Sequence, residues 1–229
     1  RPDGTPIRPY DMAQDVLAEF MGIRVDPLDE AVKGDFVKVA APIAPAGKVA
    51  PNARFGYVLD GRLNDSFRAV NLLWDKGIAV RRVDTASQGL RPGDWIVPAG
   101  NEAALADAAR RTGVDFGALA AEVKDGAHAS ARLRIGIYRR YRGGNMDEGW
   151  TRWLFEQFGF PFSEVYDAEI LKGSLNAKYD VFIFADDSTA AITGDPAEGG
   201  RGGGRGGAFA SIPNTTPPEY RSGIGAAGV

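Results

Sequence analysis

Short apolar runs alternate with amphipathic segments along this chain, and strands that take turns with helices build α/β layers. The spacing predicts a first helix over residues 11–21, with Met12, Val16, Leu17, Phe20 and Met21 on one face and Gly22 as its stop. Strand-like runs follow at 36–40 and 55–59. A second helix starts at Asn64 or Asp65 as its cap, with Phe67, Val70, Leu73 and Trp74 as the apolar stripe. Gly77 ends it, and residues 78–83 read as a strand. The turn Arg91-Pro92-Gly93-Asp94 introduces a short strand at 95–97, and Asn101 caps an Ala-rich helix running to Thr112.

After an Ala/Gly-rich connection at 124–130 the pattern restarts. Leu133, Ile135 and Ile137 make a strand, 138–144 a loop, and 146–158 a helix with Trp150, Trp153, Leu154 and Phe158 on its buried side. A strand at 162–166, a helical turn at 170–175 and a strand at 179–185 complete the series. The run Val181-Phe182-Ile183-Phe184-Ala185 has no polar alternation, which places it in the middle of a parallel sheet, covered on both faces. Segments 133–137 and 179–185 are expected to be adjacent parallel strands, with the helix 146–158 over one face. The expected fold is therefore α/β, doubly wound, with a mostly parallel sheet. Its parts are 1–130 and 131–229, or one continuous domain. The Gly-rich tract 199–207 cannot hold a regular element. The last residues, Pro217 onward, look like the approach to a helix, so the chain reads as a piece of something longer.

The 229 residues include no cysteine and one histidine, His128. That removes most zinc chemistry, every Cys nucleophile and almost every Ser-His-Asp arrangement. A net charge of −3 carries no basic excess for nucleic acid, and the single RGG-like tract reads as a loop. No stretch approaches the ~20 apolar residues of a membrane span. His128 is expected as an exposed loop residue with no neighbouring carboxylate. Asp147 and Glu148 fall in a first helical turn, where acids favour the positive end of the dipole; the other reading has them orient a substrate. An enzyme built on paired carboxylates stays open, but no spacing singles out a pair.

Open α/β sheets place ligands at the carboxyl ends of strands. Asp186, Asp187 and Ser188 leave one such end. The tract Arg139-Arg140-Tyr141-Arg142-Gly143-Gly144 leaves another and enters a helix at Asn145. The candidate ligand-binding residues are Arg139, Arg142, Asn145, Asp186, Asp187 and Ser188. Arginines facing aspartates suit a zwitterionic or polar ligand such as an amino acid or peptide end; the alternative is that the charges pair with each other. Neither the dinucleotide nor the phosphate-loop spacing is present.

Several blocks carry a family resemblance: Pro9-Tyr10-Asp11 with Met21-Gly22-Ile23, the run Asn64 to Leu73, Pro92 to Ala99, and above all Asn145-Met146-Asp147-Glu148-Gly149-Trp150-Thr151-Arg152-Trp153, followed by Tyr179-Asp180-Val181 and Pro217-Pro218-Glu219-Tyr220. They resemble the region C-terminal to the catalytic domain of large bacterial zinc carboxypeptidase-like proteins. That region is itself similar to a flavodoxin-type, class I glutamine amidotransferase-like domain. The resemblance implies a non-catalytic accessory domain whose partner is the peptidase domain of the same parent, in a secreted or periplasmic protein. Zinc is expected only in that catalytic domain, and no cofactor in this chain. The alternative is an independent flavodoxin-type module that binds a small polar molecule. An accessory domain should expose an apolar patch, whereas a free-standing binder should close its surface around one polar cleft.

With no Cys and one His, the purified chain is expected to show neither carboxypeptidase nor glutaminase activity. Added zinc should leave its melting temperature unchanged, and a rise of several degrees in a thermal melt would contradict this.

Overall fold

The computed structural model describes residues 24, 26–41, 45–141, 145–187, 189–194 and isolated positions from 215 onward. The chain divides into two units, 1–43 and 44–229. In the first, residues 26–41 form neither helix nor strand, and Arg24 pairs with Asp26 at 2.9 Å. The strand expected at 36–40 is absent, and Phe36, Val37 and Val39 are exposed. β-propensity makes a strand only where a neighbour supplies the ladder, and none does so here among the described residues. The helix expected over 11–21 and the Gly-rich tract 199–207 lie outside the described residues.

The second unit overturns the doubly wound, mostly parallel sheet. Its larger sheet comprises β1 (Tyr57–Leu59), β2 (Val80–Val83), β3 (Trp95–Val97), β4 (Gly117–Ala118) and β5 (Ala127–Ser130), in the order β4-β1-β3-β2-β5. Every neighbouring pair is antiparallel. Two helices intervene, α1 (Asn64–Asp75) between β1 and β2, and α2 (Glu102–Thr112) between β3 and β4. β1 and β2 run in the same direction, as a strand-helix-strand crossover demands, but β3 returns between them. The turn after β2 forces that return: Val83 N–H donates to the Asp94 carbonyl at 2.9 Å and Gly93 N–H to the Val83 carbonyl at 2.8 Å. Gly93 takes a φ of 92° that favours glycine.

Strand alternation then sorts the core. Tyr57, Leu59, Trp95 and Val97 meet Leu73 of α1 and Leu105 of α2, while Ile96 and Val83 pack with Leu90, Leu119 and Val123. α1 carries the expected stripe, although its N-cap is Leu63 and no side chain caps it. The connection expected at 124–130 contains β5, which extends the sheet beside β2. His128 sits in that strand with Nδ1 2.8 Å from Asp84 Oδ1, so the expected loop histidine without a carboxylate is corrected.

The smaller sheet holds β6 (Ile135–Tyr138), β7 (Phe162–Val165) and β8 (Val181–Ile183), parallel and in the order β7-β6-β8. α3 (Met146–Phe158) connects β6 to β7; α4 (Asp167–Lys172) and a 3₁₀ turn (Leu175–Ala177) lead to β8, and α5 (Thr189–Thr193) follows. β6 and β8 pair as adjacent parallel strands. The central strand is β6, however, whose four residues are all buried, whereas β8 is an edge strand with Val181 37% exposed. The apolar run of β8 serves aromatic packing instead: a Cβ on Gly136 would lie 3.0 Å from the Phe182 ring and 3.1 Å from that of Tyr179. The two sheets meet where Asn71 Nδ2 of α1 donates to the Phe158 carbonyl of α3 at 2.9 Å. Arg132 binds the same turn of α1, donating to the Asn71 carbonyl at 2.7 Å and to Asp75 at 2.8 Å.

Two carboxylates make the fold acid-sensitive. Burial alone would raise the pKa of Asp94, but N–H groups of Gly61 and Arg91 and the Arg91 guanidinium outweigh it and hold the group below the usual carboxylate range. The Arg134 side chain and N–H hold Asp180 down at about 2. A folded pKa below the unfolded one contributes stability that is complete above roughly pH 4 and disappears as pH falls through the folded value. The urea midpoint should therefore be flat down to about pH 4 and drop steeply toward pH 2. Asp94→Asn should lose roughly 1–3 kcal/mol at pH 7 and show a shallower acid limb.

Candidate functional site

β6 and β7 end at one edge because they are parallel and in register, with Tyr138 opposite Val165 and Arg139 N–H donating to the Val165 carbonyl at 2.8 Å. The residues that leave those ends meet the first turn of α3 in a cleft of about 280 Å³. Asn145 builds that turn. Its Oδ1 accepts from the N–H groups of Asp147 at 2.8 Å and Glu148 at 3.3 Å, and its Nδ2 donates to the Asp186 carbonyl at 3.2 Å. The same side chain thus caps α3 and ties down the loop after β8.

One wall is a chain of charges. Glu148 Oε1 lies 2.5 Å from Arg152 Nε one helical turn on, and Arg152 Nη1 donates to Glu164 Oε1 of β7 at 2.7 Å. Arg139 Nη1 donates to the other oxygen of Glu164, which also accepts from Tyr166 OH at 3.1 Å. Burial tends to raise the pKa of Glu164, but the Arg139 and Tyr166 hydrogen bonds prevail and lower it. Tyr166 is pushed up by burial and by Glu164, so it remains a neutral donor. Opposite, Arg140 and Asp187 pair at 3.2 Å with side chains only 10% and 11% exposed.

The other wall is aromatic. Tyr141 stacks on Tyr166 with centroids 4.5 Å apart, and the Arg139 guanidinium lies 5.9 Å over the Tyr166 ring. Beneath them Tyr138 OH donates to Asp167 Oδ1 at 2.6 Å, and Asp167 Oδ2 accepts from Gly223 N–H at 3.0 Å. Burial and that carboxylate raise the Tyr138 pKa strongly, so the phenol keeps its proton.

Of the residues expected at a site, Arg139, Asn145 and Asp187 line the cleft. Asp186 contributes through its carbonyl, while its side chain is exposed. Arg142 and Ser188 lie outside the described residues. Of the two helix-start acids, Asp147 is exposed as a dipole-facing acid would be, whereas Glu148 is buried in the ion-pair chain. Sequence reasoning missed Arg152, Glu164 and Tyr166 as parts of the site. The i,i+4 spacing of Glu148 and Arg152 is visible in the chain, but their meeting with Glu164 depends on how α3 lies on β7.

α3 also corrects the expected burial of its aromatic residues. Its inward side carries Glu148, Arg152 and Phe155, and Phe155 meets Phe162 of β7 at 6.1 Å. Trp150, Trp153 and Leu154 are 63%, 51% and 46% exposed, with Met146 at 81%. These four form one stripe at positions i, i+4, i+7 and i+8.

Among the described residues no group of three His, Cys, Asp or Glu is placed to hold a metal ion, and no helix is long and apolar enough to cross a membrane. Comparison of the chain with protein-family models, curated proteins and solved structures finds no match.

Removing Arg152 would leave Glu148, 5% exposed, without its charge partner. Arg152→Met should therefore cost about 3–5 kcal/mol in chemical denaturation, and adding Glu148→Gln should restore much of the loss. The same effect of Glu148→Gln in the parent chain and in the Arg152→Met background would show that the pair is not coupled.

Proposed function

We propose that this chain is a non-catalytic accessory part of a zinc carboxypeptidase-like metallopeptidase, which supports or regulates the peptidase domain by docking against it. The observation that carries this reading is the exposed stripe Met146, Trp150, Trp153 and Leu154 on α3. Three of its four residues, Met146, Trp150 and Trp153, fall in the Asn145–Trp153 block, the most specific part of the resemblance to those proteins. A helix that pairs its charges inward and offers two tryptophans outward presents the kind of apolar, aromatic surface that protein partners bury. On this reading the zinc and its ligands belong to the peptidase domain, and this chain contributes surface rather than chemistry.

The test is association of this chain with the separately produced peptidase domain, followed by calorimetry and by peptidase activity. Trp150→Ser with Trp153→Ser should weaken association at least 30-fold, about 2 kcal/mol, without lowering the melting temperature, because both side chains are solvent-exposed. A peptidase domain that neither binds this chain nor changes in activity or stability with it would overturn the proposal.

A further inference from the structure

The cleft at the ends of β6 and β7 has a separate consequence, independent of docking through α3. Its charges are matched: among the described residues the three arginines of the lining, Arg139, Arg140 and Arg152, pair with Glu148 and Asp187 of the lining and with Glu164 of β7. A ligand of net charge would leave one of these groups uncompensated in a half-buried place, whereas a dipolar ligand would not. The pairing also leaves specific capacity over. Arg139 spends Nη1 on Glu164, and its Nε and Nη2 make no hydrogen bond to a described residue although the side chain is 40% exposed at the cleft. Nε and Nη2 form the guanidinium edge that takes a carboxylate through two parallel hydrogen bonds. Glu148 lines the same cleft, and its charge acts on Arg139 across it. A positive and a negative pole therefore face one small space, beside the stacked rings of Tyr141 and Tyr166.

We infer that this cleft binds a zwitterionic α-amino acid, with its carboxylate on the Nε–Nη2 edge of Arg139, its ammonium toward Glu148 and an apolar side chain against the Tyr141–Tyr166 wall. A volume of about 280 Å³ is at the small end of ligand sites and suits a molecule of that size. Because Arg139 and Glu148 are already neutralised within the protein, the free chain needs no ligand to fold.

The experiment is a titration of the full chain, followed by NMR or calorimetry, with three probes: L-phenylalanine, N-acetyl-L-phenylalanine, which keeps only the carboxylate, and phenethylamine, which keeps only the ammonium. L-phenylalanine should bind at least 10-fold more tightly than either singly charged probe. Arg139→Gln should abolish that preference, and Tyr141→Leu should weaken L-phenylalanine at least 3-fold while leaving the preference for a zwitterion. Both replaced side chains are partly exposed, and a thermal melt checks that each variant is folded. Trp150→Ser with Trp153→Ser should bind L-phenylalanine like the parent, which separates this site from the docking face. Equal binding of the zwitterion and the acetylated probe would overturn the inference in favour of a simple anion site. Absence of binding by all three probes at 10 mM, a ceiling of about 3 kcal/mol of binding free energy, would overturn it outright.

Discussion

The contact between α3 and β7 orients the C-terminal half of the second unit. Arg152 of α3 is held by Glu148 on its own helix and by Glu164 on the strand, and Arg139 closes the chain from the end of β6. Once those charges turn inward, the rotation of α3 about its axis is set. The four apolar residues on its other side then face outward, and the first turn of the helix is brought over the ends of the strands. Removal of one partner costs more than the pair gains over an apolar contact, since a buried charge without a counter-charge is expensive. The network thus specifies an orientation more than it supplies stability.

The two halves of the second unit solve the same packing problem differently. In the antiparallel sheet, Ala69, Val70 and Leu73 of α1 and Leu105, Ala108 and Ala109 of α2 supply apolar contacts, and Tyr57, Leu59, Trp95 and Val97 fill the space beneath them. In the parallel sheet, α3 brings a mixed face, and its apolar contribution comes from Phe155 against Phe162. The seam between the halves joins a ring contact to hydrogen bonds: Phe67 of α1 meets Phe160 with centroids 6.5 Å apart, Asn71 reaches the Phe158 carbonyl at the end of α3, where the helix leaves backbone acceptors unsatisfied, and Arg132 grips α1 from the connection after β5. Its hydrogen bonds define direction between elements that already hold their own cores.

Most element positions were legible in the chain, because local periodicity and stop signals are local physics. The stripe of α1, the extent of α2 and the β6–α3–β7 order all follow from neighbouring residues. So does the meeting of the Arg139–Asn145 loop with Asp187, since both leave the carboxyl ends of parallel strands. The sheet pairing was not legible. The turn at Gly93 and Asp94 is readable beside Trp95, but it does not say that β3 inserts between β1 and β2, for that depends on which strands β3 pairs with and on the core it closes. The run Val181 to Ala185 has the composition of a covered strand, yet its bulk is aromatic and is used against Gly136 from the sheet edge.

By itself the sequence determined that the chain carries no thiol and one imidazole, and where most of its helices and the longer strands lie. It also determined that α3 would carry two stripes, one of aromatic residues and one containing Glu148 and Arg152, because helical spacing follows from residue order alone. Only the tertiary structure decided which stripe is buried. Glu164 lies on the face of β7 that α3 covers, so the charged stripe finds its partner there and the tryptophans are left to solvent. The physical reason is that hydrophobicity favours burial of any apolar face, while a carboxylate can be buried only where a guanidinium from another element meets it, a condition that no local pattern encodes.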